Sequence, residues 1–170
     1  KGNLAEAEVI LRKRGVATAA KKSGRAAKEG AIASYIHTGG KIGVLLEINC
    51  ETDFVAKTDA FREFVKDVAL HIVAAKPLCV SREQVAADVI TREREIARAQ
   101  VKDKPPQILE KIVDGKMEKF YSNACLLEQA FIKNPDITIK DYLTLKIQEL
   151  GENIVVKRFT VFELGQESAV

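Results

Sequence analysis

After the pair Gly39-Gly40 the chain reads KIGVLLEIN, residues 41–49, and there Ile42, Val44, Leu46 and Ile48 alternate with Gly43, Leu45, Glu47 and Asn49. A period of two puts the first four on one face of a strand, and that face must be covered by something else in the chain. AIASYIHT, residues 31–38, runs up to the same two glycines, which supply the positive φ angles of a tight hairpin turn, so the two runs predict a β-hairpin. The cover comes soon after. Phe61, Phe64, Val65, Val68, Ala69, Ile72 and Val73 recur at helical spacing, with Thr58 placed as N-cap and Lys76-Pro77 ending the segment.

Further along, SREQ at 81–84 carries the signature of a capping box opening a second helical region that contains the charged stretch TREREIARAQ. Pro105-Pro106 punctuate, and QILEKIVDGKMEKFY restarts a helix with Ile108, Leu109, Ile112 and Val113 on its stripe. TIKD at 138–141 opens a last helix that closes at Gly151, and NIVVKRFTVFEL, rich in β-branched and aromatic residues, reads as a long strand. Both faces of that strand are mixed, so the buried one cannot be assigned from sequence. The order strand, strand, helices, strand predicts an α+β domain, with a small antiparallel sheet (hairpin plus C-terminal strand) packed against several helices. Ahead of it, NLAEAEVILRKRG reads as a helix with Leu4, Ala7, Ile10 and Leu11 on one stripe and Gly15 as its stop, the last helix of a small helical domain. VATAAKKSGRAAKEG then reads as a linker helix. The expected divisions are 1–16 for the helical remnant, 17–29 for the linker, 30–165 for the core and 166–170 for a tail.

Composition narrows the class. With 46% hydrophobic and 30% charged residues in 170, the chain has enough apolar material for a core, and it has no apolar run of about eighteen residues that would span a membrane. Its first residues show no basic stretch followed by an apolar one that would be expected to mark secretion, and three widely spaced cysteines, Cys50, Cys79 and Cys125, read as reduced thiols in a cytoplasm. The net charge of +3 is local: residues 1–30 hold eight Lys/Arg against three Asp/Glu, either a solvated helix face or a track for an acidic partner.

Chemistry-bearing motifs are sparse. GKIG at 40–43 matches a loop that clamps nucleic-acid backbone in one RNA-binding module, but that module flanks the loop with helices and here strands flank it. No GxxxxGK[ST] loop is present for nucleotide phosphates, and neither His37 nor His71 has a partner at metal-ligand spacing. Cys50 and His71 are a conceivable nucleophile and base, against the plainer reading of a buried thiol at a strand end and a half-buried helix histidine. Phe54, in the connection Thr52-Asp53-Phe54-Val55, is either a core residue stapling the next helix or an exposed aromatic anchor; Asp53 beside it suits the start of a helix. Residue type alone favours the core reading, because large apolar side chains are usually inside.

NCETDFVAK at 49–57, AAKK at 19–22, VALHIVAAKP at 68–77, EKIVDGKMEKF at 110–120 and GENIVVKRF at 151–159 closely resemble stretches of the bacterial translation elongation factor Ts family. The resemblance implies a guanine-nucleotide exchange factor that promotes GDP release from the GTPase elongation factor Tu without covalent chemistry, metal or cofactor. It implies that Asp53 and Phe54, flanked by Thr52 and Val55, insert near the magnesium and phosphate site of the GTPase, that the helix of His71 presses on its phosphate-binding loop, and that Lys22 makes a basic contact. Longer relatives look like two core copies in one chain. A single copy here implies a homodimer in a 2:2 complex, with no membrane and no direct nucleic-acid partner. A basic RNA- or ribosome-associated module and a Cys50-dependent enzyme are the competing classes.

Overall fold

The computed structural model describes residues 3–101 and 105–166. In chain order the elements are α1 (Leu4–Lys22), β1 (Glu29–Ile36), β2 (Ile42–Cys50), α2 (Asp53–Ala56), α3 (Asp59–Ala75), α4 (Ala87–Ala99), α5 (Pro106–Ala124), β3 (Ala130–Phe131), β4 (Asn134–Thr138), α6 (Ile139–Leu150) and β5 (Ile154–Glu163). Short 3-10 turns at Arg82–Gln84 and Leu126–Glu128 bracket the α4–α5 pair. The fold is α+β as expected: β1, β2 and β5 form an antiparallel sheet with β2 central.

The hairpin turns where Gly39 and Gly40 take φ of 95° and 67°, conformations that cost a residue with a Cβ. Val44, Leu46 and Ile48 are buried as the alternation requires, and Cys50 extends the row. They meet Phe61, Phe64, Val68 and Ile72 of α3 and Ile139 and Ile147 of α6 in one core. Burying each large side chain contributes about 1.5–3 kcal/mol. Thr58 caps α3 by accepting from Phe61 N at 3.2 Å, and α6 opens on a full capping box between Thr138 and Asp141.

The mixed faces of β5 have a local cause. Glu47 pairs with Arg158 and Ile48 with Val156, so Lys157 is an extra residue, a bulge that reverses which side chains face inward. Ile154 and Val156 point to the core before it, and Phe159 and Val161 pack against the core after it.

Several expectations need correction. Gly15 does not end a helix: α1 runs unbroken to Lys22, and the expected boundary at residue 16 falls inside it. Gly15 instead faces α6, where an added Cβ would lie 2.7 Å from Gln148 Oε1 and 3.6 Å from Thr144 Cγ2. Ile10 and Leu11 of the expected stripe are exposed; the side chains of Leu4 and Ala7, like residues 167–170 of the expected tail, lie outside what is described. SREQ is no capping box: Ser81 Oγ is taken by the Glu83 carboxylate and Gln84 Oε1 by Val80 N, so α4 starts later, at Ala87. The β3–β4 hairpin was not foreseen, because two residues and NPDIT carry no alternating pattern. Finally, α4 and α5 pair around a small cluster of their own, Ala97, Val113 and Met117, fringed by Arg94–Asp114 and Arg98–Glu110 ion pairs.

Candidate functional site

The site grows from the end of β2. Cys50 is wholly buried, and its thiol donates to Thr52 O at 3.1 Å, which turns the chain sharply as it leaves the sheet. Thr52, extended at φ −129°, ψ 154°, is the N-cap of the single turn α2, accepting from Val55 N at 3.4 Å. Thr58 Oγ1 donates to Val55 O at 2.8 Å and closes the turn at its other end. Helical geometry rotates successive side chains by roughly 100°. Val55 and Ala56 pack on the core, so Phe54 is carried outward. It is 83% exposed, the most exposed of the large hydrophobic side chains described. Phe54 is therefore not a core staple, and it stands on a helical turn rather than in an irregular connection.

Asp53 pairs with Lys57 across one turn at 2.6 Å, both side chains largely in solvent. Such a pair is worth little to stability. The Lys57 ammonium holds the Asp53 carboxyl below its usual range, so the negative charge beside Phe54, present at neutral pH as for any Asp, also persists further into acid.

Beneath the turn lies a brace that sequence reading missed. Glu152, in the link from α6 to β5, accepts from Glu51 N (3.1 Å), Thr52 N (3.0 Å) and Thr52 Oγ1 (2.6 Å). In return Glu51 Oε1 accepts from Asn153 N at 2.6 Å, and buried Asn153 donates from Nδ2 to Arg25 O at 2.8 Å. Lys22 Nζ donates to the carbonyl of Gly151, one residue before Glu152, capping the C-terminus of α6. The pairing joins residues a hundred positions apart. The signal available in sequence was the run GENIVVKRF itself, whose polar start has no role in a strand.

Lys22 is thus linked, through Gly151 and Glu152, to the turn of Thr52, Asp53, Phe54 and Val55. His71 does not join them. It is wholly buried, not half-buried as expected, because β3–β4 covers it: Nε2 donates to Gln129 Oε1 (2.9 Å), and Nδ1 accepts from Ile132 N (3.3 Å). One turn earlier on α3, Asp67 accepts from Lys133 Nζ at 2.6 Å, so the two polar groups of this face jointly hold the β3–β4 turn. Burial pushes the imidazole pKa down, which keeps it neutral. With both ring nitrogens engaged and the Cys50 thiol pushed up by burial, the two are not arranged as nucleophile and base.

Among the described residues, no group of three or more His, Cys, Asp or Glu could hold a metal ion, and no helix is long and apolar enough to cross a membrane. Fold and site define a small α+β domain that holds an aromatic side chain outward on a braced helical turn. The family model described as Elongation factor TS matches residues 18–166. Over 167 residues, 97% of this chain, it is 59% identical to an elongation factor Ts of Carboxydothermus hydrogenoformans and 54% identical to that of Geobacter sulfurreducens, covering 77% of each. A third, from Anaeromyxobacter sp. (strain K), is 58% identical over 76% of its length. The chain belongs to the elongation factor Ts family, a family of translation elongation factors.

Proposed function

We propose that this chain binds the GTPase elongation factor Tu and promotes GDP release, with Asp53 and Phe54 entering near the magnesium and phosphate site. The observation that carries this reading is Phe54, held outward on a turn whose Thr52 is bonded to Glu152 and whose Val55 packs on the core. An aromatic side chain kept in water is costly unless a partner's pocket receives it, and such anchors dominate interface energies. Thr52 and Val55 fix the turn, and Asp53 brings a charge to groups that hold cation and phosphates. Lys22 is linked to the same turn through Gly151 and Glu152. His71 enters as a positioning residue, since it holds at Ile132, as Asp67 does at Lys133, the turn that would be offered with α3 to the phosphate-binding loop.

No covalent step is involved. Exchange works because the factor binds the empty GTPase more tightly than the loaded one, and that coupling is reciprocal. Weakening GDP by about 10⁴ needs roughly 5.5 kcal/mol of differential binding, within reach of one buried aromatic anchor and displaced metal ligands. A cytoplasmic homodimer binding two GTPase molecules completes the reading. It is supported by the outer sheet face, where Ile36 and Phe162 flank Gly43 in one cross-strand row and stand 71% and 64% exposed.

The test is release of fluorescent GDP from elongation factor Tu with the parent chain and with Phe54→Ala. A core Phe cut to Ala would cost about 3–5 kcal/mol of stability. Because Phe54 is exposed, the variant is expected to melt within a few degrees of the parent and to lose most of the acceleration. A parent that leaves GDP release unchanged, or a Phe54→Ala chain that exchanges at the parental rate, overturns the proposal.

A further inference from the structure

Helix α2 is too short to hold its own direction. Its internal bonds are long, with Ala56 N to Thr52 O at 3.3 Å and Lys57 N to Phe54 O at 3.2 Å, and a lone helical turn does not persist in water. The residue that caps it, however, is tied down by charge-assisted bonds, which are the shorter and stronger kind. Glu152 takes both the amide and the hydroxyl of Thr52, and the amide of Glu51 as well. None of these bonds is needed to close the sheet, whose β2–β5 pairing already ends at Cys50 opposite Ile154. They act on the residue that starts the turn, two positions before Phe54. Asn153 and Glu51 lace the same two segments in the opposite sense, so Glu152 itself has little freedom to follow a moving loop.

We infer that Glu152 is the positioning residue of the Phe54 turn: its carboxylate holds the Thr52 cap, so that Phe54 is presented in one orientation before any partner arrives. This rests on the exchange-factor reading. Ordering a flexible segment on binding costs affinity, and a segment already ordered avoids that cost. Glu152 therefore belongs to the docking step and not to the events at the nucleotide. Replacing it with Gln removes the charge and turns an NH2 donor toward groups that are themselves donors, while the volume stays the same.

The chain contains no Trp, so Phe54→Trp installs a single fluorescent indole at the tip of the turn. Time-resolved anisotropy of that indole is compared with and without Glu152→Gln, at a temperature where circular dichroism shows both chains folded. GDP release from elongation factor Tu is titrated in parallel with parent and Glu152→Gln chains carrying Phe54. The expected result is a lower residual anisotropy in the Gln variant and a half-saturating concentration raised about tenfold, as ordering a few side chains costs. The release rate at saturation should change by less than about twofold, since the bound turn is the same in both. A merely structural loss would not loosen the indole in a folded chain. Unchanged anisotropy, or an unchanged half-saturating concentration, overturns the positioning role while parental exchange stands. A parent without exchange activity instead removes the exchange reading and this role in it, and the anisotropy difference still reports on the brace. If Glu152→Gln does not fold, Glu152→Asp, which keeps the charge but shortens the reach to Thr52 and leaves the Thr52 cap on Val55 in place, is judged by the same two readouts.

Discussion

A neutral imidazole sealed in a protein core makes the fold sensitive to acid, and His71 is sealed completely. Its folded pKa lies below the ordinary 6.5, through loss of hydration partly offset by the bond to Gln129. The sign follows from proton uptake. Below about pH 6.5 the unfolded chain binds a proton that the folded one refuses, so the contribution is fully present above that pH and declines as pH falls toward the lowered folded value, by at most about 1.4 kcal/mol per pH unit. Urea unfolding of the parent and of His71→Asn between about pH 7.5 and 5 is expected to show a steeper acid loss in the parent, the difference isolating this ring from the carboxylates. Equal slopes would contradict it. Phe54 and His71 make a useful pair at this scale, since residue type favours burial for Phe and half-exposure for His. The chain does the reverse in both cases: Phe54 precedes an anchored Val55 on a helical turn, and His71 lies under a hairpin that has no recognisable pattern.

Among the elements, α1 departs most from its sequence reading. Glycine after an amphipathic run is a common helix stop, yet Gly15 sits mid-helix where α1 crosses α6, and its missing side chain lets the two approach. The two roles predict opposite responses. At a stop in the left-handed region, Gly15→Ala would be strained; in mid-helix it gains up to about 1 kcal/mol of helix propensity, provided the flexible end of Gln148 swings aside. The expected outcome is an equal or higher melting temperature with unchanged helical circular dichroism, and a clear drop in melting temperature would restore the stop reading. For β5 the sequence was misleading in a different way. Alternation was present on both sides of Lys157, but the bulge there shifts its phase, and a single period drawn through the whole run averages two faces together.

At the scale of the whole molecule, the described residues leave an apolar face of the sheet exposed. The inner side of the sheet is filled by α3 and α6, whereas Ile32, Ile36, Leu45 and Phe162 stand exposed on strands β1, β2 and β5. If two copies meet through this face, light scattering at micromolar concentration should give twice the 18.7 kDa chain mass for the parent and the single-chain mass for Phe162→Asp, a change made outside the buried core. A monomeric parent would remove the dimer. What the sequence determined by itself was whatever is signalled locally: the hairpin and its inner row Val44, Leu46 and Ile48, the helix from Thr58 to Lys76, and the start of the last helix at TIKD, 138–141. In each, neighbours along the chain carry the same signal, and burial and hydrogen bonding then agree with it. Only the tertiary structure decided the rest. Whether Phe54 faces water, whether His71 is sealed and what holds Thr52 depend on partners such as Gln129, Ile132 and Glu152, which lie roughly sixty to a hundred residues away. A single hydrogen bond across that distance leaves no period in the chain, because it is made by one residue at each end and by the folding of everything between them.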